Sequence, residues 1–434
     1  MRWMVTLLGL AAIISAPVYA APPALVEMPL DAATPTSPLG QLSLREALAL
    51  TLERNPNLAV SAQEIAARRA LVIQAGLRPN PTLEITQDNL GNNALISGTD
   101  APATTLQFGQ LLELGGKRAA REQVASEAQT VAEREAEIVR VELLASTTQR
   151  FVEVLAAQAQ RALASELFTL AESTATAVKQ KVKAGKVFPI EATKADVMLA
   201  TVRLQRAQSE RNLATARQQL VALWGDEVTE FTAVGELGVL PKVPVYAALE
   251  QRLTGSPTLA RWAARITERQ AQLRLAERKA IPDLTVTAGV RHYNDIGEPV
   301  ALVGVSIPLQ FFDRNQGGRV EAGVRVQQAY DELRVAEFEA KSALQAIYAA
   351  IISAHAEIEV LSKEILPGAE EVFRVATEAY KAGKFGLLEV LDAQRLLFDT
   401  RGRHWQALLT FHSRIAELER LLGGPLAGEL GHGQ

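Results

Sequence analysis

The chain has 434 residues, with 45 Lys plus Arg against 49 Asp plus Glu and a formal net charge of −4. It therefore offers no basic excess for nucleic acid, and its 48% hydrophobic residues are too many for a disordered chain. A mean hydropathy of +0.05 is too low for a helical membrane protein. The absence of cysteine excludes disulfides, thiolate metal sites, a Cys nucleophile and a lipid-modified N-terminal Cys.

The first residues have the pattern of an export signal. Arg2 precedes an apolar run over 5–14, and Ala20 ends a small-residue cleavage pattern. We predict a secretory signal peptide over 1–20. The alternative is an N-terminal anchor helix, but the run is short for a span and is followed by Pro17. No later segment is apolar enough for us to predict a membrane helix. Residues 21–41, rich in Pro, Ala and Thr, are predicted to form an extended linker.

A short helix follows, and then the chain repeats itself. Ser43 and Glu46 have capping-box spacing and predict a helix to about Arg54. Pro56 and Pro257 are 201 positions apart in matching contexts. Further matches link Gly115-Gly116 with Gly317-Gly318, and Gly185 with Gly383. The predicted units are a first repeat over 42–225, a connection over 226–255, a second repeat over 256–423 and a C-terminal tail over 424–434. We interpret this as a duplication inside one fold.

Each repeat has two short segments in which apolar and polar residues alternate. The pattern predicts strands at about 81–90, 103–112, 282–293 and 300–310. About ten residues suffice for a tilted strand to cross a bilayer, although a half-buried soluble sheet fits the alternation equally well. Four strands cannot close a barrel, which takes about eight, and open edges cannot face lipid. If these strands enter a membrane, three chains must share one twelve-stranded barrel. Predicted helix–barrel junction residues are Pro81, Pro282, Gly115, Gly116, Gly317 and Gly318.

Long helices complete each repeat. Residues 117–183 contain neither Gly nor Pro and would form a helix about 100 Å long. Residues 190–224 and 324–366 also lack Gly and Pro, and 387–422, which contains Gly402, is predicted to be a further long helix. Steps of four and three predict coiled-coil seams in two of these helices. One seam comprises Ala340, Leu344, Ile347, Ile351, Ala354, Ile358, Leu361 and Ile365. The other comprises Ile138, Val141, Ala145, Thr148, Val152, Leu155, Ala159 and Ala162. Turns at Gly185 and Gly383 predict antiparallel helical hairpins.

Two tandem copies of a strand hairpin and a long helical hairpin, behind a signal peptide, resemble the TolC-type outer-membrane efflux factors. The most specific motif is Tyr380-Lys-Ala-Gly-Lys-Phe-Gly-Leu-Leu-Glu-Val-Leu-Asp-Ala-Gln394, which looks like the periplasmic tip of the second hairpin. Segments 112–118 and 312–318 are more similar to the heavy-metal branch, the cobalt–zinc–cadmium type called CzcC. The resemblance covers the chain from about Leu42 to Gly423.

The resemblance implies a mainly α fold with a small β part. In it, a homotrimer forms a twelve-stranded barrel in outer-membrane lipid, continued by a periplasmic α-helical coiled-coil tunnel. The implied partners are a periplasmic adaptor protein and an inner-membrane pump of the resistance–nodulation–division (RND) type. The implied function is a passive duct that exports divalent heavy-metal cations from the periplasm or the pump to the outside. Alternatives are a duct for multidrug efflux or type I protein secretion, and a periplasmic coiled-coil structural protein.

Two acidic residues in the tip motif are candidates for the periplasmic constriction. Glu389 and Asp392 are three apart on one helix face, so threefold symmetry would form acidic rings that favour cations. The resemblance places such acids at the entrance of the duct; a solvated helix face without a gating role is the alternative. The first repeat has Glu191 and Lys194 at the matching places, and Tyr380 is the further candidate. Well-known relatives have an arginine where this chain has Phe385, so Lys384 or Lys194 is expected to replace it in closing the tip.

No catalytic constellation is visible, and we expect neither an enzyme nor a cofactor. The five histidines are not at ligand spacing; they are His292, His355, His404, His412 and His432. We interpret His404 as a packed residue and His355 as a solvated one. Beyond the predicted signal peptide the chain has only two methionines, Met28 and Met198. Two distant thioethers cannot form a series of binding sites for soft metal ions. Metal selection, if any, is therefore expected in the pump and adaptor.

Overall fold

The computed structural model describes residues 40–88, 102–227, 230–293 and 297–426. The predicted signal peptide, almost all of the predicted linker and most of the loop between the first two strands lie outside these ranges. The helices are α1 Leu44–Arg54, α2 Pro56–Ala75, α3 Lys117–Lys183, α4 Pro189–Val221, α5 Tyr246–Leu253, α6 Pro257–Arg278, α7 Gln316–Val360, α8 Leu366–Lys381 and α9 Leu387–Leu422. The strands are β1 Gly40–Ser43, β2 Thr82–Asp88, β3 Ala103–Leu112, β4 Phe231–Val234, β5 Leu284–Tyr293 and β6 Pro299–Ser306.

The N-terminal helices begin where the local sequence predicts. The Glu46 backbone N–H donates to Ser43 Oγ, and the Ser43 backbone N–H donates to Glu46 Oε2 at 2.8 Å, so the predicted capping box is confirmed. Asn55 ends α1 and caps α2 through its side chain, and Pro56 occupies the first turn of α2. Asn55 therefore bonds both helix ends, through its backbone N–H to the Thr51 carbonyl and through its side chain from the Asn57 N–H.

The strands of the two halves form one antiparallel sheet. Its order is β2-β3-β5-β6, so each half supplies a hairpin and the two hairpins meet through β3 and β5. Leu106 lies opposite Val290, and Gly109 lies opposite Thr287. The outer strands β2 and β6 are the edges of this sheet in the single chain. The duplication is therefore visible as two hairpins joined edge to edge.

A second, two-stranded sheet ties the N-terminal segment to the connection between the halves. β1 pairs in parallel with β4, with Gly40 opposite Phe231. The side-chain amide of Gln158 on α3 bonds both the N–H and the carbonyl of Ala233, at 2.8 and 3.0 Å. Gly40 and Gln41, which were assigned to the extended linker, thus belong to a strand. Their pairing is non-local and leaves no signal in the linker composition.

The helices form two long antiparallel hairpins, α3 with α4 and α8 with α9. α3 has 67 residues and ends at Lys183, and α9 begins at Leu387 and ends at Leu422, as predicted. α3 packs against α4 along one side and against α6 and α9 along others. The predicted seam in α3 is therefore confirmed only in part: Val141 and Val152 are buried and Ala162 is exposed, and Thr147, Phe151 and Val154 are buried on an adjacent face. A helix with partners on several sides buries more than one heptad stripe.

The predicted seam of α7 is confirmed as far as Leu361 and then shifts. Its residues from Ala340 to Leu361 are buried, but Ile365 is 43% exposed. A π-helical turn over Leu361–Ile365 separates α7 from α8. The extra residue in this turn rotates the helix face, so the seam continues at Leu366 and Ala369 instead of Ile365. The prediction for Ile365 was wrong because a heptad count cannot anticipate an inserted residue.

One helical stretch of the described residues has the length and hydropathy of a membrane span. It lies within Gln316–Lys381, where an 18-residue window reaches a mean hydropathy of 1.3. Composition alone cannot separate such a stretch from a core helix, and a third of the window is buried. The apolar cluster in this region joins Leu344 and Ile351 to Leu408 and Phe411 of α9. The buried apolar residues of this stretch therefore pack against α9, while others, such as Phe338 and Ile352, are exposed in the single chain.

Candidate channel elements: the strand face, the junction and the helical tip

One face of the four-stranded sheet is apolar and exposed across both halves. Residues that lie directly opposite each other in the register share a face, as Leu83 does with Phe108 and Ala288 with Val303. Its apolar residues are Leu83, Ile85, Leu106, Phe108, Leu112, Leu284, Val286, Ala288, Val290, Ala301, Val303 and Val305. Polar residues share this face toward the strand ends, Gln110 at the helix end and Gln87, Thr104 and His292 at the loop end. Val303 is 83% exposed. A continuous apolar face that reaches both edge strands is the arrangement that a lipid-facing surface requires.

The opposite face of the same sheet is polar. Arg291 donates to Asp88 Oδ2 at 2.8 Å and to Thr105 Oγ1 at 2.9 Å, which links β5 to both strands of the first hairpin. Thr287 and Glu84 lie on this face as well. Strands that alternate between apolar and polar residues in this way have one side for lipid and one for water.

The junction between sheet and helices has two ion pairs, one between the halves and one within the first half. Asp283 accepts from Lys117 Nζ at 2.8 Å and from the Leu114 N–H at 3.0 Å. Burial opposes the charged carboxylate, but these hydrogen bonds outweigh it and the pKa of Asp283 is lowered. Glu113 pairs with Arg121 at 2.5 Å, and the hydrogen bond from Arg121 lowers the pKa of Glu113. Charged groups thus begin directly below the apolar strand face.

The paired glycines at the two junctions differ in structure. Gly115 and Gly116 are left-handed, with φ of +70° and +72°, and Gly115 lies against Ile281 so closely that a side chain would collide. In the second half α7 begins at Gln316, so Gly317 and Gly318 lie inside its first turn. The left-handed position there is taken by Asn315 with φ of 55°. The sequence match therefore aligns two glycine pairs with different conformations.

The two tip turns, in contrast, are built alike. The N–H of Gly185 donates to the Val182 carbonyl, and that of Lys186 donates to the Lys181 carbonyl, both at 2.9 Å. In the second hairpin Gly383 donates to Tyr380 at 3.1 Å and Lys384 donates to Ala379 at 2.9 Å. Both glycines have positive φ, +68° and +75°. Each turn closes its helix end with the same left-handed glycine motif.

The candidate constriction residues lie just after these turns. Glu389 and Asp392 are both exposed and alternate along the helix end with the buried Leu387, Val390 and Ala393. Within the described ranges neither carboxylate has a cationic partner within 4.0 Å. At the matching places of the first hairpin, Lys194 lies 3.4 Å from Glu191. The second tip thus presents two uncompensated negative charges, and the first presents a neutralised pair.

Tyr380 is held by a residue that the sequence did not single out. Lys181 Nζ, at the end of α3, lies 3.8 Å from the centroid of the Tyr380 ring. The same ring packs at the apolar cluster that contains Val178, Ala195 and Leu387. The lysine that contacts Tyr380 across the two tips is therefore Lys181. Lys194 bonds within its own helix, and Lys384 is exposed. Only the spatial approach of two turns 198 positions apart brings these residues together.

The histidines form no common site in the structure. His404 is half-buried, and burial lowers its pKa. His412 is more buried, which also lowers its pKa, and its Nε2 lies 2.8 Å from the Leu237 carbonyl. His355 lies beside Glu359 at 3.8 Å, and His432 lies outside the described residues. Across the described parts of the chain, no group of three or more His, Asp or Glu side chains is arranged to hold a metal ion.

Comparison with known proteins agrees with this architecture. The family model described as "Outer membrane efflux protein" matches residues 47–226 and 248–424. The cobalt-zinc-cadmium resistance protein CzcC of Cupriavidus metallidurans is 33% identical over 98% of this chain and 100% of its own length. The nickel-cobalt-cadmium resistance protein NccC of Alcaligenes xylosoxydans xylosoxydans is 27% identical over 69% of this chain and 67% of its own. A crystal structure of CusC, 20% identical, superposes with a TM-score of 0.72 over 88% of this chain and 92% of that one.

The exposed strand face and the long hairpins define a channel subunit of the outer membrane with a large periplasmic helical part. The chain belongs to the outer membrane efflux protein family. Channels of this family are passive and function as trimers with adaptor and inner-membrane pump partners. The alternative of a wholly periplasmic coiled-coil scaffold is therefore excluded.

Proposed function

We propose that this chain is the outer-membrane duct of a tripartite RND-type efflux system that exports divalent heavy-metal cations. The observation that carries the substrate class is the full-length similarity to a cobalt-zinc-cadmium resistance protein, with a second metal-resistance relative over about two thirds of the chain. The duct itself performs no chemical step in this proposal. Export is driven by the inner-membrane pump, and the adaptor connects the pump to the helical tip.

The barrel is completed by three copies of the chain. One copy supplies four strands whose apolar face extends to both open edges, β2 and β6. Open edges are not tolerated in lipid, so each β6 pairs with β2 of the next copy and twelve strands close the barrel. In this arrangement the repeats 42–225 and 256–423 act as two equivalent units of a sixfold pseudo-symmetric duct, joined by 226–255 and followed by the tail 424–434.

The tip of the second hairpin is the constriction in this proposal. Threefold repetition places Glu389 and Asp392 in two rings, and unpaired carboxylates in a narrow ring favour cations. Their lack of cationic partners in the described chain supports this role. Glu191 with Lys194 lines the entrance without net charge. Tyr380, held under Lys181, connects the two hairpin tips.

Growth of a deletion strain on metal salts tests the substrate class. Loss of the chain should lower the inhibitory concentrations of zinc, cobalt and cadmium salts, and expression of the intact chain should restore them. Inhibitory concentrations of hydrophobic drugs and the secretion of type I substrates serve as parallel readouts. If the deletion strain becomes sensitive to drugs alone, the chain is a multidrug duct instead of a metal duct. If it only loses a secreted protein, the chain is a duct for type I secretion.

A further inference from the structure

The most unusual group in the helical part is the side-chain amide of Gln394 on α9. Gln394 is 0% exposed, and neither its Nε2 nor its Oε1 has a hydrogen-bond partner. Among the described residues, the other buried side-chain atoms without a partner are single nitrogens of Arg217 and Trp224. A buried amide with both polar atoms unpaired disfavours the packing that buries it.

Gln394 interrupts an otherwise apolar contact. One helical turn away on α9, Leu391 joins the cluster with Val178 and Ala195, and Leu397 joins the cluster with Leu167 and Val202. These clusters hold α9 against α3 and α4 near the tip. We refer to this contact, formed by residues 387–398 of α9, as the tip seam. The seam therefore has a polar break in its middle, where a leucine or methionine would give continuous apolar packing.

The matching position in the first hairpin shows that the repeat does not require a buried polar group. Asp196 lies 198 positions before Gln394, is exposed, and pairs with Lys179 at 2.6 Å. The preceding residues, Ala195 and Ala393, are buried in both hairpins. The two helices thus share one buried face, and only α9 also buries the next position.

The tip seam is bounded by features that allow it to move as a unit. Arg401 on α9 bonds Glu166 of α3 at 3.1 Å and Glu370 of α8 at 3.2 Å, so it fixes three helices immediately above the seam. The π-helical turn over Leu361–Ile365, followed by Pro367, breaks the regular helix on the other arm of the hairpin. Below these points the described contacts that hold the second hairpin against the first are the clusters around Gln394 and the stacking of Lys181 on Tyr380.

We propose that Gln394 sets the balance between the packed tip seam and a separated one. The amide weakens the packed state, because its hydrogen bonds are unmade there, and it regains them in water when α9 leaves α3. The arm that moves runs from the π-helical turn through the tip to Arg401. This proposal rests on the proposed role of the tip as a constriction, since separation of the seam is what would widen it.

The natural absence of cysteine allows a direct test in the trimer. Leu388, which is exposed at the tip, is replaced by cysteine and spin-labelled. Double electron–electron resonance then measures the distances between the labels of the three copies in lipid vesicles. Gln394→Met should shift the ratio of short to long distances toward short by about tenfold. Gln394→Asn keeps an amide and should stay near the unmodified distribution. Asp196→Asn, at the exposed matching position, should leave the distances unchanged.

Hydrogen exchange provides a measurement that does not depend on a variant folding. In the unmodified trimer, amides over 387–400 of α9 should exchange faster than those over 189–202 of α4 and those above Arg401. Equal protection on α9 and α4, or a Gln394→Met distribution that matches the unmodified one, would overturn the proposal. Conductance recorded on the same samples separates the proposed seam equilibrium from the proposed constriction role of the tip. A distance shift without a change in conductance retains the seam equilibrium and removes the constriction role.

Discussion

The two hairpin tips have nearly the same backbone but different polar side chains. Gly185 and Gly383 close their turns with the same hydrogen bonds, and Ala195 and Ala393 bury the same helix face. Glu191 is neutralised by Lys194, whereas Glu389 and Asp392 are unpaired within the described chain. Backbone geometry and small buried residues are thus shared by the halves, while the charged groups have diverged.

The same divergence continues away from the tip. Exposed Asp196 corresponds to buried Gln394, and at the opposite end of the hairpins buried Val221 corresponds to Glu419. In each pair the polar group of the second hairpin has a cost of burial that its counterpart lacks. The amide of Gln394 has no hydrogen-bond partner, and burial disfavours the charged form of Glu419. This difference is the one expected if, as proposed above, the second hairpin changes its packing and the first supports it.

In the sheet both halves are expected to face lipid in the same way. Substitutions there should have the largest effect on the stability of the trimer. Leu83 of the first half and Val303 of the second lie on the same apolar face, so arginine at either site should cost about 2–4 kcal/mol near the bilayer midplane. Urea unfolding of the trimer in lipid vesicles measures this cost. Thr287→Arg on the polar face is the control and should cost much less. If arginine is tolerated at one of the two apolar sites, that half does not face lipid.

The junction glycines provide the next test, because there the halves differ. Gly115→Ala forces a left-handed alanine against Ile281 and should destabilise the protein by about 1–2 kcal/mol or more. Gly317→Ala fills open space inside α7 and should stabilise it by about 0.5–1 kcal/mol. Thermal unfolding of the trimer compares them. If both substitutions destabilise the protein, the two glycines have the same turning role, as their sequence match suggests.

The sequence was sufficient wherever a local signal decided the structure. The ends of α3 follow from the absence of Gly and Pro inside it, the tip ends of α3 and α9 follow from the turn glycines, and the strands follow from alternation. The apolar sheet face could be listed from polarity alone. These features depend on neighbours within a few residues along the chain.

Features that depend on distant partners were not predictable. Lys181 meets Tyr380, and Lys117 meets Asp283, only because separate halves pack together. The second buried stripe of α3 exists because several helices surround it, and Ile365 is exposed because one inserted residue turns the helix. Burial of Gln394 could not be inferred either, since its counterpart Asp196 is exposed.

Charge removal at the two tips tests the functional side of the comparison. Glu389→Ala with Asp392→Ala should raise single-channel conductance in planar bilayers by about twofold and lower cation preference, because the acidic rings no longer narrow and polarise the entrance. Glu191→Ala with Lys194→Ala removes a neutral pair and should change both quantities little. Unchanged conductance and selectivity in the first variant would assign these carboxylates to a merely solvated helix face.

The smallest expected effect concerns Glu419 and its counterpart Val221. Burial raises the pKa of Glu419 above the ordinary 4.5, although the Leu426 N–H donates to it at 3.0 Å. A carboxyl with a raised pKa in the folded state binds its proton more tightly there than in the unfolded chain. Its contribution to stability is therefore present below pH 4.5 and is lost as pH rises through the raised value.

Glu419→Gln removes this titration, so its melting temperature should fall less than that of the unmodified trimer between about pH 4 and pH 8. Exposed Glu357→Gln on α7 is the matched control and should leave the pH profile unchanged. If melting temperature depends on pH in the same way in Glu419→Gln and in the unmodified protein, burial of Glu419 has no measurable cost. The second hairpin would then be as well packed at this position as the first is at Val221. In that case the contrast between a supporting and an adaptable hairpin would be confined to the tip.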